Sequence, residues 1–171
     1  MSDLFEKVTG DQDFFKKIAS KIPGFGGYIE RQNRRAADKL LRETVADRFE
    51  ELYQRISAIQ ADFVSDGQIL YVDDLEKAAI KVRTFIDKIR TASYGYSGFF
   101  DAAKVNEEEL ARVYEYDSGM LDMVDGVSNA IDNVEASAGS DGLPAAIRNL
   151  VSSANECLLV FGRRDEVMKK G

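Results

Sequence analysis

Between Tyr28 and the Ser65-Asp66-Gly67 turn nothing in the sequence interrupts a helix. The run predicts roughly 37 helical residues, or ~55 Å at 1.5 Å per residue. Its second half places Val45, Phe49, Leu52, Ile56, Ile59 and Phe63 at alternating spacings of three and four. That is the seam of a bundle or coiled coil, and it needs other helices to cover it. Before Val45 the register slips, because Leu41 rather than Arg42 supplies the apolar contact. On the exposed side, Glu30 with Arg34, Asp38 with Arg42, Lys39 with Glu43 and Glu51 with Arg55 stand four apart, which predicts pairing along the helix.

The rest of the chain supplies three more amphipathic segments. Asp73 reads as the N-cap of the next, with Glu76 completing a capping box. Leu75, Ala79, Val82, Phe85 or Ile86, and Ile89 form its seam. Asn106 and three glutamates open a third segment with an acidic first turn. Leu110, Val113, Tyr114, Asp117, Leu121, Val124, Val127, Ile131 and Val134 run down one side of it. Gly119 and Gly126 weaken it or permit close helix approach. After the Ala138–Gly142 loop, Pro144 suits a first turn, and Ile147, Leu150, Val151, Ala154, Leu158 and Phe161 make the last core face. The expected fold is all-α: one domain over residues 1–171, a four-helix up-down bundle with one long helix and a short N-terminal arm over residues 1–22.

The arm carries Phe14, Phe15, Ile18 and Ile22 at helical spacing beside Lys16, Lys17 and Lys21, and Pro23 stops it. It reads either as a helix folded onto the bundle or as a cationic amphipathic helix on an anionic membrane surface. No apolar run approaches the ~20 residues of a transmembrane segment, and the first residues do not resemble a secretory signal. One cysteine, Cys157, fits a reducing compartment, so the expected location is cytoplasmic.

The chain has no histidine. Imidazole bases, Ser-His-Asp and Cys-His catalysis and His-based metal sites are therefore excluded. Cys157 sits in apolar ANECLLVF and reads as a buried small hydrophobe. Glu108, Glu115, Asp117, Asp122 and Asp125 lack the spacing of a calcium loop, so no metal and no cofactor are expected. Asp117 alone falls at a seam position, which makes it the candidate buried charge. A formal charge of −7 argues against nucleic acid as a partner.

Charge is unevenly placed. Residues 16–48 hold nine basic and four acidic residues; residues 101–142 hold two basic and eleven acidic. These stretches can face and neutralise each other. PGFGGY at 23–28 lacks the strand and glycine spacing of a nucleotide loop, yet glycines before a helix leave amides that favour anions. In an up-down bundle the glycine-aromatic segment SYGYSGFFDAAKV returns to that end. Tyr28, Arg31, Arg34, Arg35, Tyr94, Tyr96, Phe99 and Asp101 then form a candidate interaction surface or anion site.

The patches IPGFGGYIERQNRRAADKLLRE and YGYSGFFDAAKVNEEEL together resemble an uncharacterised bacterial all-helical family, to which no activity, cofactor or site residue is attached. The resemblance implies a bacterial origin and says nothing of chemistry. Function is thus open among three readings. The first is a non-enzymatic helical scaffold or interaction module with a protein partner or self-association. The second is a peripheral membrane protein using the arm. The third is a small-anion-binding protein using the Arg/Tyr end.

Overall fold

The computed structural model describes the backbone over residues 18–30, 34–91 and 107–169, and side chains over 18–27, 36, 39–91 and 119–163. Those residues are helical apart from short turns, with no strand among them. Helix α1 spans Phe25–Glu30, α2 Arg34–Ser65, α3 Val72–Thr91, α4 Glu107–Ser137 and α5 Leu143–Lys169, with a 3-10 turn at Ile69–Tyr71. α2 packs on α3 and α4, α5 packs on α3 and α4, and α1 lies against α2. Each of the four long helices thus has two close neighbours.

The seams account for these contacts. Every residue of the α2 seam from Val45 to Phe63 is buried, as are Leu75, Val82, Phe85, Ile86 and Ile89 on α3. Leu121, Val124, Val127, Ile131 and Val134 on α4, and Ile147, Leu150, Ala154 and Phe161 on α5, complete the core. Three aromatic rings tie three helices together. Phe85 lies 4.5 Å from Phe49 and 6.2 Å, edge-on, from Phe161. Such pairs add about 0.5–1.5 kcal/mol beyond the area they bury.

α2 ends where the sequence says it should. Gly67 has φ 76°, in the left-handed region that side chains avoid. Its amide donates to the Val64 carbonyl, and the Gln68 amide donates to Phe63, the paired bonds of a Schellman stop.

Near residue 25 the structure departs from expectation. The one helix expected from Tyr28 to Ser65 is described as two: α1 starts at Phe25 and lies against α2, which runs from Arg34. A Cβ at Gly24 would stand 3.7 Å from Leu40. Gly26 and Gly27 are helical, and Gly24, at φ 89°, makes the turn before α1. Phe25 explains the shift: it is fully buried, and a helical turn swings it inward. The arm's described end, residues 18–22, is folded onto the bundle, with Ile18 and Ile22 buried in the core. Lys21 bonds Asp122 of α4 at 3.1 Å, and Arg48 of α2 donates to the Lys21 carbonyl. Phe14 and Phe15 lie outside the described residues.

Three further expectations need correction. Asp73 is not a cap. The 3-10 turn carries the chain into α3 at Val72, so Asp73 sits in the first turn. Glu76 instead accepts a bond from Gln60 of α2, which also reaches the Val72 carbonyl. Arg55 does not pair along its helix with Glu51 but reaches across to α4. Arg42 is not on the exposed side; it is only 6% exposed.

Gly126 does not serve close packing either. It is exposed in mid-helix, and a Cβ there meets nothing within 4 Å. Gly126→Ala is therefore expected to stabilise the protein by about 0.5–1 kcal/mol. That corresponds to a rise of roughly 1–4 °C in thermal midpoint for a chain of this size. A melting curve followed by circular dichroism checks it, and a fall would mean that residue 126 faces something.

Candidate functional site

Helices α2 and α3 are joined by a polar clasp beside their apolar seam. Asp47, Glu50, Arg83 and Arg90 each follow directly after a buried residue: Ala46, Phe49, Val82 and Ile89. They therefore flank the seam where facing helices exchange charges. Arg83 grips Glu50 with both terminal nitrogens, at 3.0 and 2.6 Å. Its guanidinium also lies over the Tyr53 ring, 4.3 Å from the centroid. Arg90 bonds Glu50 and Asp47, each at 3.2 Å.

The hydrogen bond from Arg83 holds the Glu50 carboxyl below its ordinary range, against the opposing push of burial, and the charges of Arg83 and Arg90 add to it. The same bond to Glu50 holds the Arg83 proton more tightly. Because Glu50's folded pKa is depressed, its contribution to stability is present above its ordinary value near 4.5 and is lost as pH falls below it. Glu50→Gln should thus be less stable than the parent protein at neutral pH. The gap in urea midpoint should narrow steadily as pH falls below 4.5. A gap that stays constant through the acid range would contradict the clasp.

A second clasp joins α2 to α4. Arg55 bonds Asp132 at 2.6 Å, Ser128 at 3.1 Å and Glu135 at 3.2 Å. The bond to Asp132, then that to Glu135, raises its already high pKa. Ser128, Asp132 and Glu135 each follow a buried seam residue of α4, so the same rule places them. With Lys21 on Asp122, the basic early chain and the acidic helix do face each other.

These groups are fixed rather than reactive. Where a shift is resolved among the described residues, it moves the group away from neutral pH. Burial pushes the Cys157 thiol up to about 12, and its Sγ donates to the Ser153 carbonyl at 3.3 Å. A thiol so held is a poor nucleophile. Among the described residues no three acidic or cysteine side chains converge on a metal-sized site, and no helix is long and apolar enough to cross a membrane.

The side chains of the residues nominated from the sequence all lie outside the described set. Arg31, Tyr94, Tyr96, Phe99 and Asp101 lie outside the described residues. Tyr28 lies in α1, Arg34 and Arg35 open α2 and Asp117 lies in α4, but their side chains are outside the described set. What is described at that end is a groove of about 390 Å³ lined by Lys39, Arg42, Glu43, Asp47, Ile89 and Arg90. α3 ends at Thr91, one residue beyond that lining.

The opposite end carries a different feature. The 3-10 turn directs Tyr71 inward, its ring 6.2 Å from Phe63. Ile69 and Leu70 point out, 67% and 79% exposed, and Val64 across the Gly67 turn is also exposed. Asp62, Asp66 and Asp73, all exposed, flank this tip along the chain, and Asp74 pairs with Lys77 at 3.3 Å. Beside it a shallow groove of about 300 Å³ includes Asp62, Phe63, Asp66, Val134 and Glu135. No family model matches the chain, and no curated protein or solved structure matches it.

Proposed function

We propose that the chain is a helical interaction module: a four-helix up-down bundle whose acid-rimmed apolar tip receives a cationic amphipathic helix of a partner protein. The observation that carries the reading is the outward placement of Ile69 and Leu70. Two adjacent large apolar side chains held in water by a well-packed turn are unfavourable unless another surface covers them. Asp62, Asp66 and Asp73 favour a basic partner and disfavour tip-to-tip self-association through like-charge repulsion, while Asp74 is paired with Lys77.

The alternating topology is supported by the order of contacts. Gln60, Glu50 and Asp47 descend along α2 while Glu76, Arg83 and Arg90 ascend along α3. Lys81 with Asn155 and Phe85 with Phe161 ascend together along α3 and α5. Lys21 and Arg55 meet Asp122 and Asp132 in chain order.

A membrane role for the arm draws no comparable support, because Ile18 and Ile22 are already spent on the core. The test is titration of the protein with a synthetic helix of leucine and lysine, against a leucine-glutamate helix of equal length. Salt-sensitive binding of the basic peptide alone is expected. Equal binding of both peptides, or of neither, would remove the proposal.

A further inference from the structure

We infer that the groove between the C-terminal ends of α2 and α4 receives a basic side chain of the partner, and that Glu135 turns from Arg55 to bind it. The inference rests on the tip reading above and gives Glu135 a part in choosing the partner.

The groove, about 300 Å³, is lined by Ile59, Asp62, Phe63, Asp66, Val134 and Glu135 together with three small residues. Ile59, Phe63 and Val134 are buried and give it an apolar base, while Asp62, Asp66 and Glu135 are exposed. Carboxylates above an apolar base suit a side chain with a hydrocarbon stem and a charged head, which is lysine or arginine. A bare metal ion fits less well, because among the described residues no three acidic side chains converge to hold one. α2 ends at Ser65 and α4 at Ser137, so the negative ends of two helix dipoles lie beside the groove and favour a cation. Asp66 stands three residues before Ile69 across the Gly67 turn, at most about 11 Å of chain. One partner helix, about 10–12 Å across, therefore covers Ile69 and Leu70 and reaches the groove.

The bonds around Arg55 make Glu135 the acceptor that can be spared. Arg55 Nη2 donates to Asp132 at 2.6 Å and to Glu135 at 3.2 Å, and Nη1 donates to Ser128 at 3.1 Å. One nitrogen thus holds two carboxylates, and Glu135 has the longer bond. When Glu135 turns away, both terminal nitrogens still keep an acceptor. Glu135 is 49% exposed, so its pairing with Arg55 is screened by water and exchanges readily for a second cation.

Titration with the leucine-lysine helix at low and high salt tests this role. Glu135→Gln should leave the urea midpoint nearly unchanged, because Arg55 retains Asp132 and Ser128. It should weaken binding roughly three- to fivefold at low salt, and the difference should vanish at high salt. Asp62→Asn should act in the same direction. Asp125→Asn is the control: residue 125 is exposed on α4, about 15 Å from residue 135 along the helix, and the same loss of charge there should change affinity less than about twofold. In the parent protein the Arg55 side-chain N–H signals should shift as the peptide saturates. Equal affinity in the parent protein and Glu135→Gln, or Arg55 signals that stay in place at saturation, would overturn the role of Glu135 and leave the tip reading standing. No binding by the parent protein would remove both.

Discussion

Phe85→Ala should remove about 3–5 kcal/mol of stability. Phe85 is fully buried on α3 and touches Phe49 of α2 and Phe161 of α5, so one truncation opens a cavity bordered by three helices. Packed helices relax poorly around such a hole, because each is held along its whole seam. A domain has only ~5–15 kcal/mol of net stability, so the loss is a large share of the total. It should appear as a fall on the order of 10 °C in thermal midpoint. Ile80→Ala and Leu159→Ala are the controls. Both residues are more than half exposed, and each change should stay within about 0.5 kcal/mol. If Phe85→Ala behaves like the controls, the three rings do not form the centre of the core.

The second large effect is on binding. Replacing Ile69 and Leu70 together by serine should leave the urea midpoint nearly unchanged, since both side chains face water in the free protein. Affinity for the leucine-lysine helix should fall at least about a hundredfold. Covering a side chain of this size contributes ~1.5–3 kcal/mol, and each 1.4 kcal/mol is a factor of ten. Tyr71 must be left intact, because its ring packs on Phe63 and its loss would confuse stability with recognition. A double variant that binds as well as the parent protein would place the recognition surface elsewhere.

Much of the helical framework was legible from spacing alone. The α2 seam from Val45 to Phe63 is buried throughout, and the stop at Ser65 follows from Gly67. What spacing could not show was the partner of each charge. Arg55 has Glu51 four residues before it, but Ser128, Asp132 and Glu135 on α4 offer three acceptors to one guanidinium, and they prevail over one exposed neighbour. The signal that would have found both clasps is positional: their acceptors, and Arg83 and Arg90, each follow a residue of a seam or, for Asp47, buried Ala46 beside it. Arg42 was expected on the exposed side of the helix, whereas the structure leaves it only 6% exposed next to buried Leu41. The Ile69-Leu70-Tyr71 strip was visible in the sequence, but only the 3-10 turn divides it into one inward ring and two outward side chains.

The most direct test of the interaction reading is a nitrogen-proton correlation spectrum of the labelled protein during titration with the leucine-lysine helix. The account predicts saturable shifts concentrated at residues 62–74 and near Glu135, fading as salt is raised and absent in the Ile69→Ser, Leu70→Ser variant. Shifts spread evenly over the acidic face of α4, or persisting unchanged in that variant, would contradict it.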